Sequence, residues 1–152
     1  MEKQRTSIMN HYKKIKKMKS YILITIALFF GLFANQTFAQ TKRNYIVITS
    51  NIEQLKPIIL AAKGLAKEDG PNFGKFEVVL CGKAVTGLTE GEKILPVLEM
   101  ADKESVKLIA CGLSLSKFNI NRDSIPKQVK VVDNGLLYDF QLQKKGYLSI
   151  EL

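Results

Sequence analysis

Two cysteines, Cys81 and Cys111, are the residues of this chain best suited to chemistry. Cys111 ends the apolar run Val106-Lys107-Leu108-Ile109-Ala110-Cys111; Gly112 follows at once, then Leu113-Ser114-Leu115. Such a run reads as a buried strand, and the serine beyond the glycine reads as a helix start. The thiol is thereby set at the carboxyl end of a central strand, beside a helix N-terminus. In open α/β sheets ligands bind at that edge. A helix N-terminus also favours the thiolate, the nucleophilic form of cysteine. A plainer reading stands beside this one, because free cysteine often serves as a small buried hydrophobe. On that reading Leu113, Leu115 and the strand neighbours seal Cys111 and leave it inert. Cys81 repeats the pattern, since Phe76 to Cys81 (FEVVLC) is strand-like and Gly82 ends it. Ser114 either donates to a thiolate or sulfur anion or serves as a helix N-cap.

Absences narrow the chemistry. The single histidine is His11, and residues 40–152 contain none. In that part a Ser-His-Asp triad or a Cys-His dyad cannot be built. Two thiolates with carboxylates alone, and no imidazole, are a poor ligand set for zinc. The expectation is a site with no metal and no organic cofactor. Gly70 to Lys75 (GPNFGK) has the wrong spacing for a phosphate loop, and no Ser or Thr follows the lysine.

The elements that position these thiols alternate regularly. Strands are expected near 45–49, 76–81, 106–111, 129–132 and 147–151. Between them lie a helix carrying Leu55, Ile58, Ile59, Ala62, Leu65 and Ala66, a helix over 92–101, a short one over 114–118 and one over 136–145. Ser50 with Glu53 fits a capping box, Pro57 and Pro96 require late helix starts, and Gly146 closes the last helix. The order β-α-β-α-β-α-β-α-β predicts an α/β fold: three layers, α/β/α, around a five-stranded, mostly parallel sheet. Residues 40–152 suffice for one core and not for two.

Residues 1–39 read as a secretory signal peptide. Lys13, Lys14, Lys16, Lys17 and Lys19 precede the 13-residue apolar run Tyr21 to Phe33, and Thr37 and Ala39 supply small residues for cleavage. A spanning helix needs roughly 20 apolar residues, so no stable membrane insertion is expected after cleavage. A start at Met18 gives a signal of commoner length than one at Met1. The whole chain carries a net charge of +9, but residues 40–152 hold 16 Lys/Arg and 13 Asp/Glu, interspersed. With no basic block, a nucleic-acid partner is not expected.

From Tyr45 to the C-terminus the chain resembles the DsrE/DsrF-like family of small α/β proteins. The resemblance is carried by Ala110-Cys111 with Ser114-Leu115, by Ile125-Pro126-Lys127-Gln128-Val129-Lys130-Val131-Val132, and by Leu142-Gln143-Lys144-Lys145-Gly146-Tyr147, in that order and spacing. It implies a five-stranded parallel sheet between helix layers and assembly into a homo-oligomer, a trimer or hexamer. It also implies that Cys111 carries sulfur as a persulfide between a donor and an acceptor protein. Gly112, Ser114, Cys81 and Gly82 are then the neighbours expected to shape the site. Two features depart from the family. Its relay members work in the cytoplasm whereas this chain is read as exported, periplasmic or secreted, and Cys81 is not part of the family signature. If the two cysteine-bearing strands are neighbours, as the family arrangement implies, both thiols share one edge and an oxidising compartment would allow a disulfide; bridges between adjacent parallel strands fit the required geometry poorly, and the alternative leaves Cys81 a lone core residue. Three functions therefore follow as expectations: sulfur carriage on Cys111, a non-catalytic oligomeric module that binds a small ligand or protein, and a thiol–disulfide protein using Cys81 and Cys111.

Overall fold

Three apolar stretches rich in β-branched residues bury both faces in the middle of a parallel sheet, and two shorter strands form its edges. A computed structural model of the chain describes residues 41–152; the expected signal segment lies outside them. Strand β1 (Arg43–Thr49) leads through a 3-10 turn into helix α1 (Leu55–Asp69), and β2 (Phe73–Leu80) leads through two 3-10 turns into α2 (Leu95–Lys103). Then come β3 (Val106–Cys111), α3 (Gly112–Lys117), β4 (Lys130–Val132), α4 (Gly135–Gln143) and β5 (Leu148–Glu151). The sheet order is β4-β3-β2-β1-β5, and every neighbouring pair is parallel.

The strand order decides the layers. The first three crossovers all step the same way across the sheet, so their helices lie on one face. There Leu55, Ile58, Ile59, Ala62, Leu98 and Leu115 pack against Val47, Val78, Leu80, Leu108 and Ala110. The β4-to-β5 connection runs back from one edge to the other, which puts α4 on the opposite face. Leu142 and Tyr138 of α4 cover Ile46, Ile48, Val79 and Ile109, the alternate residues of the same strands. Both faces are covered, and the expected three-layer α/β/α arrangement is observed.

Local chemistry explains the boundaries. Pro57 lies in the first turn of α1 and Pro96 in that of α2, where a missing N–H costs nothing. The cap after β1 is Asn51, whose side chain accepts from the Glu53 N–H at 3.0 Å, so the expected Ser50–Glu53 box does not form. Strand β2 begins three residues earlier than expected because Gly74 lets it close on β1. A Cβ there would lie 2.8 Å from the Arg43 carbonyl oxygen, at the point where the β1–β2 register shifts. The Asp69 carboxylate, buried at the end of α1, accepts from the Tyr45 hydroxyl at 2.5 Å and pairs with Arg43. Among the described residues no helix is long and apolar enough to cross a membrane.

Candidate functional site

Register brings the two thiols together. Strands β2 and β3 are neighbours, and Leu80 pairs with Ala110, so the next residues, Cys81 and Cys111, stand side by side. Val79 and Ile109 face α4, and two residues further along the pleat Cys81 and Cys111 do the same. Gly82, at φ +51°, turns the chain sharply away beyond Cys81. Both cysteines are free thiols; Cys111 is 4% exposed and Cys81 is half-buried.

The N-terminus of α4 sits on this pair. Asn134 is its N-cap, and its side-chain oxygen accepts from the Leu136 and Leu137 N–H groups at 3.0 and 3.2 Å. The cap leaves the Gly135 N–H to donate to Cys111 Sγ at 3.3 Å. Only glycine fits here. A Cβ on Gly135 would lie 2.8 Å from Cys81 Sγ and from Val79 Cγ1, and 3.1 Å from Cys111 Cβ.

Ser114 joins the site from inside α3. The helix is capped by Cys111 itself, so Ser114 is not the N-cap that the sequence allowed. Its hydroxyl oxygen accepts from the Gly82 N–H at 2.8 Å, and the nearness of its hydroxyl and N–H to the Cys111 sulfur favours the thiolate there. Gly112 acts through packing. A Cβ there would meet Arg122 Nη2 at 2.6 Å and the Val132 carbonyl oxygen at 2.9 Å, and the close approach lets the Leu113 N–H reach the Asp133 carbonyl at 3.0 Å. Leu113 is exposed and Leu115 belongs to the opposite core, so neither seals Cys111.

The electrostatics split the pair. Burial pushes the Cys111 thiol up, but the Gly135 N–H, the two Ser114 donors and the Cys81 thiol hold it below its ordinary value. Burial raises Cys81, to about 12, and the neighbouring Cys111 sulfur and Glu151 push in the same direction. The surroundings thus favour the thiolate at Cys111 and the thiol at Cys81. This pairing can support nucleophilic attack by Cys111.

Sequence reasoning expected the helix following Cys111 to supply the donors. The structure adds α4, 24 residues away, as a donor to the same sulfur. A second feature had no signal in the sequence. Glu77, buried on the α4 face, accepts from the Tyr138 hydroxyl at 2.7 Å and the Tyr147 hydroxyl at 3.3 Å. It borders a hollow of about 550 Å³ that Lys107 and Lys130 also line and neither cysteine reaches. The hollow is thus separate from the thiol chemistry. Among the described residues no three His, Cys, Asp or Glu side chains group as a metal site.

Other proteins share this architecture. No family model and no curated protein matches the sequence. Among solved structures, MTH1491 from Methanobacterium thermoautotrophicum, described as a protein of unknown function, superposes with a TM-score of 0.62 at 19% identity, over 73% of this chain and 99% of that one. BT1422 from Bacteroides thetaiotaomicron, a conserved protein of unknown function, gives 0.54 at 15% identity, over 72% and 95%. The ychN protein from E. coli gives 0.52 at 18% identity, over 72% and 99%. At these identities the likeness establishes the fold, and function has to be argued from the site.

Proposed function

We propose that this chain is an exported DsrE-like domain that carries sulfane sulfur on Cys111. The observation that carries the reading is the Gly135 N–H on Cys111 Sγ at 3.3 Å, which with the neighbouring Ser114 favours the thiolate. The Cys111 thiolate attacks the outer sulfur of a persulfide or polysulfide. The new S–S bond forms as the donor's S–S bond breaks, and the donor departs as a thiolate. The Gly135 and Ser114 donors that held the thiolate remain beside the persulfide. An acceptor thiolate then attacks the outer sulfur, and Cys111 leaves again as the stabilised thiolate. Because Cys111 is only 4% exposed, the donor has to present a slim terminal sulfur. No metal or organic cofactor enters these steps.

The test is mass spectrometry of the purified protein after treatment with an organic persulfide. The expected adduct of about 32 Da, one sulfur atom, lies on the Cys111 peptide and is absent from Cys111→Ser. An adduct that persists unchanged in that variant refutes the reading. A second reading, a binding or assembly module without chemistry, is favoured by the apolar side chains that α4 exposes, Leu136, Leu137 and Phe140. It predicts that Cys111→Ala leaves the biological role intact.

A further inference from the structure

A carrier needs one thiol, and this site has two. Cys81 and Cys111 occupy adjacent positions at the ends of neighbouring strands and face the same helix. Nothing intervenes between them and the helix, because Gly135 has no Cβ. Adjacent strands run roughly 4.8 Å apart, within the Cα separation of about 4.4–6.8 Å that a disulfide accepts. Cys81 follows the last ladder pair of β2 and precedes the left-handed turn at Gly82, its N–H held by the Thr49 carbonyl oxygen at 2.9 Å, so the backbone fixes it beside Cys111.

We propose that Cys81 is a resolving thiol that reduces the sulfur carried by Cys111 to sulfide; this rests on the persulfide reading above. The Cys81 sulfur attacks the inner sulfur of the Cys111 persulfide. A Cys81–Cys111 disulfide forms, the Cys111 S–S bond to the outer sulfur breaks, and that sulfur leaves with the electron pair as hydrosulfide. The Cys81 proton goes to the departing sulfur, so the anionic persulfide and the thiol give one disulfide and one hydrosulfide. The two thiols supply both electrons. Turnover requires an external dithiol reductant, which takes the disulfide back to the free pair. The asymmetry of the pair suits this order. Cys111, the stabilised thiolate, attacks the donor first, and Cys81 is kept protonated until the negative charge beside it has moved to the outer sulfur.

The experiment treats purified protein, without reductant, with an organic persulfide whose leaving group is a thiolate rather than sulfide. Sulfide release and intact mass are followed together. Wild type is expected to release about one equivalent of sulfide per chain and to end as the disulfide, with both thiols lost. Cys81→Ser and Cys81→Ala are expected to stop at the adduct of about 32 Da on Cys111. Their sulfide release should be at least about tenfold slower, near the Cys111→Ser background. If wild type holds the adduct as stably as the Cys81 variants, with no disulfide, the resolving role is overturned and the carrier reading survives. If the Cys81 variants take up no adduct at all, the carrier reading itself has failed.

Discussion

A thiolate in a largely buried position needs donors that compensate its lost hydration, and at Cys111 each donor has a separate structural origin. Gly135 gives an N–H that its own helix cap leaves over, and Ser114 gives a hydroxyl fixed by the Gly82 N–H. Cys81 is the opposite case, a thiol whose proton is favoured by burial and by the Cys111 sulfur beside it. That contrast has a consequence for stability. The folded protein retains the Cys81 proton up to about 12, whereas an ordinary thiol releases it near 9.0. Between those values the folded state binds more protons than the unfolded one, so stability must fall as pH rises through the window. Denaturant titrations across this range should show the decline in wild type and a shallower one in Cys81→Ser. Equal slopes would mean that Cys81 is not the group being held.

At the scale of elements, the site depends on how closely α4 can approach the strand ends. Gly135→Ala places a Cβ against Cys81 and Val79 at 2.8 Å. The helix must shift outward, at a cost of about 1–3 kcal/mol for overpacking. The Cys111 thiol should titrate higher as the Gly135 donor withdraws. Unfolding measurements and the pH dependence of thiol absorbance read the two effects separately; an unchanged titration would show that the α4 contact is not what lowers Cys111. The strands were legible in the sequence because a buried parallel strand leaves a nearly continuous apolar run, as in Val106 to Cys111. The expected range 106–111 matches β3 residue for residue. The α4 donor was not legible. Whether the residue-135 N–H reaches residue 111 depends on the last crossover returning over the opposite face and on the pleat parity of Cys111, and no local pattern encodes either. Ser114 misled in another way: Ser two residues after a glycine fits an N-cap, but extended Cys111 takes the cap and leaves Ser114 free to join the two strand ends.

Among the described residues the two faces of the sheet are unequally covered. Three helices lie over one face and the nine residues of α4 over the other. Leu136, Leu137 and Phe140 of α4 remain exposed, as do Leu148, Ile150 and Leu152 at and beside the edge strand β5. Contiguous exposed apolar side chains mark association surfaces, which accords with the proposed homo-oligomer. Sedimentation at micromolar concentration should give a trimer or larger, and Phe140→Glu should shift it toward monomer. A monomeric wild type would count against both the assembly and the family reading. The proposed export makes a further demand, since the mature protein should begin at Gln40. Recovery of a soluble cytoplasmic protein that retains Met1 or Met18 would contradict it.

Activation of Cys111 as a thiolate can be read from site-resolved alkylation against pH. Each cysteine peptide is quantified after brief exposure of the native protein to a small alkylating agent. Cys111 should react faster than Cys81 at neutral pH, with a midpoint below the ordinary thiol value of 9.0, while Cys81 lags to strongly alkaline pH. A Cys111 rate no higher than that of Cys81 would contradict the claim and leave only the reading of a binding module without thiol chemistry.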